Sequence, residues 1–125
     1  MDYVATKDAP QAIGPYSQAV KSNGMVYTSG QIALDPATGN LVEGPFEDQV
    51  HRVFRNLEAV LKEAGSGFDR VLKATVYVTD LANFAALNAI YAEYFGSHNP
   101  ARTTIEASAL PKGGQVEIDL VALCD

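Results

Sequence analysis

The chain has 125 residues, enough for one domain with a single core, and 47% of them are hydrophobic, an ordinary globular share. Nine Lys and Arg stand against fifteen Asp and Glu, a net charge of -6, which argues against electrostatic capture of nucleic acid or of an anionic membrane. The lone Cys124 cannot form an internal disulfide, no apolar run reaches the ~18 residues of a membrane helix, and residues 1–7 lack the basic start and apolar stretch of a signal peptide. The expectation is a soluble, cytoplasmic protein with one domain over residues 1–125.

In chain order, Tyr3 to Thr6 is predicted as a short first strand, and Ala9-Pro10 and Gly14-Pro15 keep residues 9–16 extended or turning. Ser17 to Lys21 and Met25 to Gln31 read as strands joined at Asn23-Gly24, a strong hairpin signal. A longer loop runs from Asp35-Pro36 through Gly39-Asn40. The period then changes: Val50, Val53, Phe54, Leu57, Val60, Leu61 and Ala64 recur at helical spacing, and Gly65 follows as a helix stop. Val71 to Thr79 alternates, with Leu72, Ala74, Val76 and Val78 on one face and Lys73, Thr75 and Tyr77 on the other. Phe84, Leu87, Asn88, Tyr91 and Phe95 mark a second helix, ended by Gly96. Two more strands flank Leu110-Pro111-Lys112-Gly113-Gly114. On the first, Arg102, Thr104 and Glu106 oppose Ile105 and Ala107; on the second, Glu117 and Asp119 oppose Val116, Ile118 and Leu120.

The order β-β-β-α-β-α-β-β predicts an α+β fold, a six-stranded sheet with both helices on one face. The other face is expected to carry Lys73, Thr75, Tyr77, Arg102, Thr104, Glu117 and Asp119, a surface that needs solvent or polar partners. If the last two strands formed a hairpin, Glu117 would lie opposite a residue near 106–108, leaving Arg102 roughly 13–20 Å further along at ~3.3 Å per residue. Either these strands are not hairpin partners, or the two side chains meet through another subunit.

The chemistry centres on a cation and a carboxylate. Arg102 offers a planar fork that grips a small carboxylate with two hydrogen bonds; the competing reading is an ordinary ion pair. Glu117 suits a base that positions a water, against a plain pair with Lys73 or Lys112. Tyr16 either hydrogen-bonds a ligand or anchors packing. Ser29-Gly30 either admits a ligand close to the backbone or is a strand bulge. Asn88, on the apolar side of its helix, needs a partner, either a loop backbone or a pocket. His51, His98 and Cys124 match no metal-site spacing, and no P-loop, Rossmann glycine pattern or Gly-x-Ser-x-Gly elbow is present.

Gly14-Pro15-Tyr16-Ser17-Gln18-Ala19, Thr28-Ser29-Gly30-Gln31-Ile32, Asn56-Leu57, Ala64-Gly65, Phe84, Asn88, Tyr91, Tyr94-Phe95 and Pro100-Ala101-Arg102-Thr103 recur in the order of one family across essentially the whole chain. By these motifs the chain resembles the Rid family of reactive intermediate deaminases, also called the YjgF family. The resemblance implies a chorismate-mutase-like fold and a homotrimer with substrate clefts between subunits. It implies hydrolysis of 2-imino acids and their enamine tautomers (2-aminoacrylate/2-iminopropanoate, 2-iminobutanoate) to 2-keto acids and ammonia, without cofactor or metal. Arg102, Glu117 and Tyr16 would then be catalytic, with Ser29, Gly30, Thr104 and Asn88 binding substrate beside Arg102. One departure is visible: many family members carry Cys where this chain has Thr104. Two other functions are weighed: a non-catalytic trimer that binds small carboxylates or regulates, and RNA cleavage. The acidic balance and the lack of a histidine pair argue against the latter.

Overall fold

The computed structural model describes residues 1–125. Its strands are β1 (Asp2–Val4), β2 (Ala19–Ser22), β3 (Met25–Thr28), β4 (Val71–Val78), β5 (Ala101–Glu106) and β6 (Val116–Leu123). Helix α1 (Phe46–Glu63) lies between β3 and β4, and α2 (Phe84–Phe95) between β4 and β5. The expected element order therefore holds. The strands form one mixed sheet in the order β1-β2-β3-β6-β4-β5. All neighbours are antiparallel except β4 and β5, which α2 links as a parallel pair.

Local chemistry sets these elements. Asn23 and Gly24 both adopt positive φ, 53° and 75°, as a two-residue hairpin turn requires. Helix α1 begins after Pro45, carries Glu47 and Asp48 in its first turn and Lys62 in its last, and stops at Gly65 with φ 77°. Its buried stripe of Val50, Val53, Phe54, Leu57, Val60 and Leu61 packs on the sheet with Leu87, Ile90 and Phe95 of α2. Val26, Val71, Ala74, Val76, Val78, Val116, Ile118, Leu120 and Ala122 form the sheet's side of that core.

The structure corrects the sequence reading in four places. First, β4 carries a bulge between Val71 and Lys73, so Val71 is buried and Leu72 stands 44% exposed instead of in the core. Second, β3 ends at Thr28 rather than Gln31, and the ladder resumes at one isolated bridge between Gln31 and Ile118. Third, β1 ends at Val4, because Gln18 takes the Thr6 backbone away from the sheet. Fourth, Arg102, Thr104 and Glu106 do not share a face with Glu117 and Asp119. They pair alongside Ala74, Val76 and Val78, so they lie on the helix side, whereas Glu117 and Asp119 lie beside Tyr77 and Thr75 on the open side. Alternation tells which residues share a face but not which face. On this helix side of the edge strand β5, Arg102 finds the Asn88 amide and Glu106 accepts the Leu81 N–H.

Since β4 separates β5 from β6, the last two strands are not hairpin partners. Arg102 sits level with Ala74 and Glu117 level with Tyr77. They are thus about 10 Å apart along the strands and about 10 Å across them, on opposite faces.

Candidate active site

The Glu117 side of the molecule is built by loops around the β3–β6 junction. From Tyr27 to Gln31 the chain takes four steps where β6 takes three, from Val121 to Ile118. The extra residue bulges the strand. Thr28 Oγ1 accepts the Leu120 N–H at 2.9 Å, satisfying a donor the broken ladder would orphan. This bulge lays Gly30 under Glu117. A Cβ at position 30 would lie 2.6 Å from Glu117 Oε2, so only glycine leaves the carboxylate its place. Ser29 is committed elsewhere: its hydroxyl donates to the Ser17 carbonyl at 2.6 Å, tying the 17–18 segment to the bulge.

A cavity of about 250 Å³ adjoins this carboxylate, lined in part by Tyr16, Gly30, Ile32, Leu34, Lys112 and Glu117. Two buried amides shape it. Gln18 accepts the Thr6 N–H at 2.7 Å and donates to the carbonyls of Thr6 and Pro10 at 3.0 and 2.8 Å, fixing the loop that carries Tyr16. Asn56 of α1 donates to the Leu34 carbonyl at 2.9 Å and accepts from Arg52 Nε at 3.0 Å, holding the cavity's inner wall. Tyr16 itself is 49% exposed and its hydroxyl lies 3.4 Å from the Ile13 N–H, so the ring stands at the rim.

Electrostatics on this face are acidic. Burial pushes the Glu117 carboxyl above its usual range, and the neighbouring Asp119 charge adds to the rise. Burial raises Asp119 too, while the Thr75 and Tyr77 hydroxyls pull it back. Lys73 spends its ammonium on Thr103 Oγ1 at 2.9 Å, and the chain's single salt bridge, Arg70 to Asp125, lies elsewhere. Glu117 therefore pairs with neither Lys73 nor Lys112.

Arg102 occupies a separate niche on the helix side. Its Nη1 donates to Asn88 Oδ1 at 2.8 Å, and its guanidinium carbon lies 4.8 Å from the Tyr91 ring centre and 5.4 Å from that of Phe84. No carboxylate pairs with it. Asn88 thus answers to Arg102 and to no loop backbone. Thr104 Oγ1, on the same face of β5, is buried without a hydrogen-bond partner, as is Tyr91 Oη. Glu106 is occupied, accepting the Leu81 N–H at 2.9 Å.

Within one chain, then, Tyr16, Gly30 and Glu117 converge on one cavity, and Arg102, Asn88 and Thr104 cluster in a second place. Gln18, Asn56 and Tyr91 were not read as site residues from sequence. All three stand among the positions that carry the family resemblance, and that is the signal that marks them. His51 Nδ1 pairs with Tyr94 Oη at 2.8 Å and His98 Nε2 donates to the Val71 carbonyl at 2.7 Å, so both histidines brace the fold.

A six-stranded mixed sheet with two helices on one face, a lone guanidinium at its edge and a carboxylate cavity on its open side define a compact α+β class. The family model described as Endoribonuclease L-PSP matches residues 6–124. A 2-iminobutanoate/2-iminopropanoate deaminase of Capra hircus is 46% identical over 120 residues, spanning 96% of this chain and 88% of the relative. The crystal structure of RidA from an Antarctic Psychrobacter superposes with a TM-score of 0.95 at 41% identity, covering 98% of this chain and 99% of that one. That of E. coli TdcF with bound serine gives 0.94 at 36% identity and covers both chains completely, 100% of each. The chain belongs to the Rid family, also called the YjgF, RutC or L-PSP family.

Proposed function

We propose that this protein hydrolyses 2-imino acids, formed from their enamine tautomers, to 2-keto acids and ammonia, and that it works as a homotrimer with its sites between protomers. Arg102 carries the reading: a partly buried guanidinium, stacked and hydrogen-bonded, with no carboxylate of its own chain. Asn88 takes only Nη1, so the edge formed by Nε and Nη2 remains whole for a substrate carboxylate. The Capra hircus relative named as a deaminase supports the chemistry, and the serine bound to E. coli TdcF carries the carboxylate such a fork would take.

The split site supports the assembly. Arg102 and Glu117 lie on opposite faces of one sheet and cannot reach one small molecule within a chain. Arg102 of one protomer meeting Glu117 of its neighbour resolves the separation. The polar open face then becomes interface, which fits its half-buried Thr75, Tyr77 and Asp119.

The reaction needs little beyond orientation, since such imines already hydrolyse in water. Arg102 holds the carboxylate. Glu117, its pKa raised by burial, takes a proton from a water as the oxygen bonds to C2. Glu117 then returns that proton to the nitrogen of the carbinolamine and takes the hydroxyl proton as the carbonyl forms, the C–N bond breaks and ammonia leaves. Tyr16 closes the rim, and backbone groups at Gly30 and Thr104 complete the pocket. The test is 2-oxobutanoate formation from 2-iminobutanoate generated in situ by an amino-acid oxidase. A rate no faster than the spontaneous one would leave carboxylate binding without catalysis. RNA cleavage finds no support in the histidines, which are engaged in structural bonds.

A further inference from the structure

Arg102 is held by an amide and two aromatic rings of α2, and none of these partners brings a charge of its own. Asn88 Oδ1 accepts from Nη1 in the guanidinium plane at 2.8 Å, while Tyr91 lies against its face at 4.8 Å. Both residues come from α2, three positions apart, which is neighbour spacing on one side of a helix. An arginine at a sheet edge has four rotatable side-chain bonds and, left alone, would sample many orientations. A carboxylate anchor would stop that motion but would also neutralise the fork. An amide acceptor and an aromatic face stop it without doing so.

We infer that Asn88 and Tyr91 are positioning residues that lock the Arg102 guanidinium with its Nε–Nη2 edge presented to the substrate carboxylate. This rests on the deaminase reading for the identity of the substrate. It assigns Asn88 to the arginine rather than to the substrate. It also assigns a role to Tyr91: the ring acts, and the hydroxyl does not. The buried Tyr91 Oη has no hydrogen-bond partner, and its pKa is raised by burial, with Arg102 countering.

The experiment measures two quantities on the full-length protein: the Kd of 2-oxobutanoate by calorimetry, and KM and kcat for 2-iminobutanoate. Asn88→Ala should weaken 2-oxobutanoate about ten-fold or more, the effect of losing one hydrogen bond to a charged group, with KM rising more than kcat falls. Asn88→Asp should be worse at neutral pH, because its carboxylate at Nη1 neutralises the guanidinium charge that attracts the substrate. Tyr91→Leu should weaken binding about two- to five-fold, and Tyr91→Phe should restore it. Melting curves separate these effects from unfolding. Phe as poor as Leu would mean that the hydroxyl acts, and Asn88→Ala with wild-type Kd would mean that the amide positions nothing; either overturns the inference. Wild-type protein that binds 2-oxobutanoate but releases no ammonia would sink the deaminase reading alone, leaving the variants to be judged on Kd. Wild-type protein that fails to bind 2-oxobutanoate would remove Arg102 as a carboxylate clamp and the inference with it.

Discussion

At the scale of single residues, the proposed reaction gives Arg102 and Glu117 different roles, and substitutions should separate them. Arg102→Lys keeps the charge but replaces a planar fork with a point charge on a flexible stem, and it cannot reproduce the stack on Tyr91. Turnover of 2-iminopropanoate should fall, and Arg102→Ala should fall further, by roughly 2–5 kcal/mol, or about thirty-fold to several thousand-fold in kcat/KM. Both variants should still fold, since no salt bridge is lost and Arg102 lies on the edge strand. Wild-type-like activity in the Lys protein would defeat the bidentate clamp. Glu117→Gln retains shape and loses the base, so 2-oxobutanoate binding should survive while kcat drops. Unchanged kcat would take Glu117 out of the mechanism.

At the scale of elements, the decisive device is the bulge that follows β3. It sets Gly30 beneath Glu117 by removing a side chain and interrupting the ladder. Gly30→Ala would put a methyl 2.6 Å from Oε2, and the carboxylate must move. A displacement of about 1 Å costs on the order of a hundred-fold in rate. The expected result is a folded protein with intact 2-oxobutanoate affinity and strongly reduced turnover; an active Gly30→Ala protein would show that Glu117 has room to spare. Gln18 tests the opposite wall. Gln18→Ala would strand the Thr6 N–H and the carbonyls of Thr6 and Pro10, destabilising the fold by about 1–3 kcal/mol in urea unfolding.

At the scale of the whole molecule, the proposed assembly predicts a particle near three times the 13.3 kDa chain mass in light scattering. A monodisperse monomer at micromolar concentration would leave Arg102 and Glu117 in separate sites. The open face also predicts a pH dependence. Burial raises Glu117 and Asp119 from their ordinary values of 4.5 and 3.8, so the folded chain holds these protons more tightly than the unfolded chain does. Their protonated forms stabilise the fold fully below those ordinary values, and the benefit is lost as pH rises through the raised ones. Asp119→Asn should therefore melt above wild type at pH 7, with the difference closing towards pH about 4. An offset that stays constant with pH would show that Asp119 is not strained by its surroundings.

The sequence by itself determined the family and the order of elements, because each of these is a local or linear property. Helical spacing placed α1 and α2, Asn23-Gly24 placed the hairpin, and the Pro-Ala-Arg-Thr context singled out Arg102. Even the misfit between Arg102 and Glu117 in a hairpin was legible from spacing alone. What only the tertiary structure decided was sidedness. A strand's alternation is symmetric, so nothing in Ala101–Glu106 says which face meets the helices until β4 sets the register. The same holds for the bulge at Leu72, for Gly30 under Glu117, and for Asn88 and Tyr91 around Arg102. Each depends on a partner far away in sequence, and a partner's position is fixed by packing, not by the local pattern of residues.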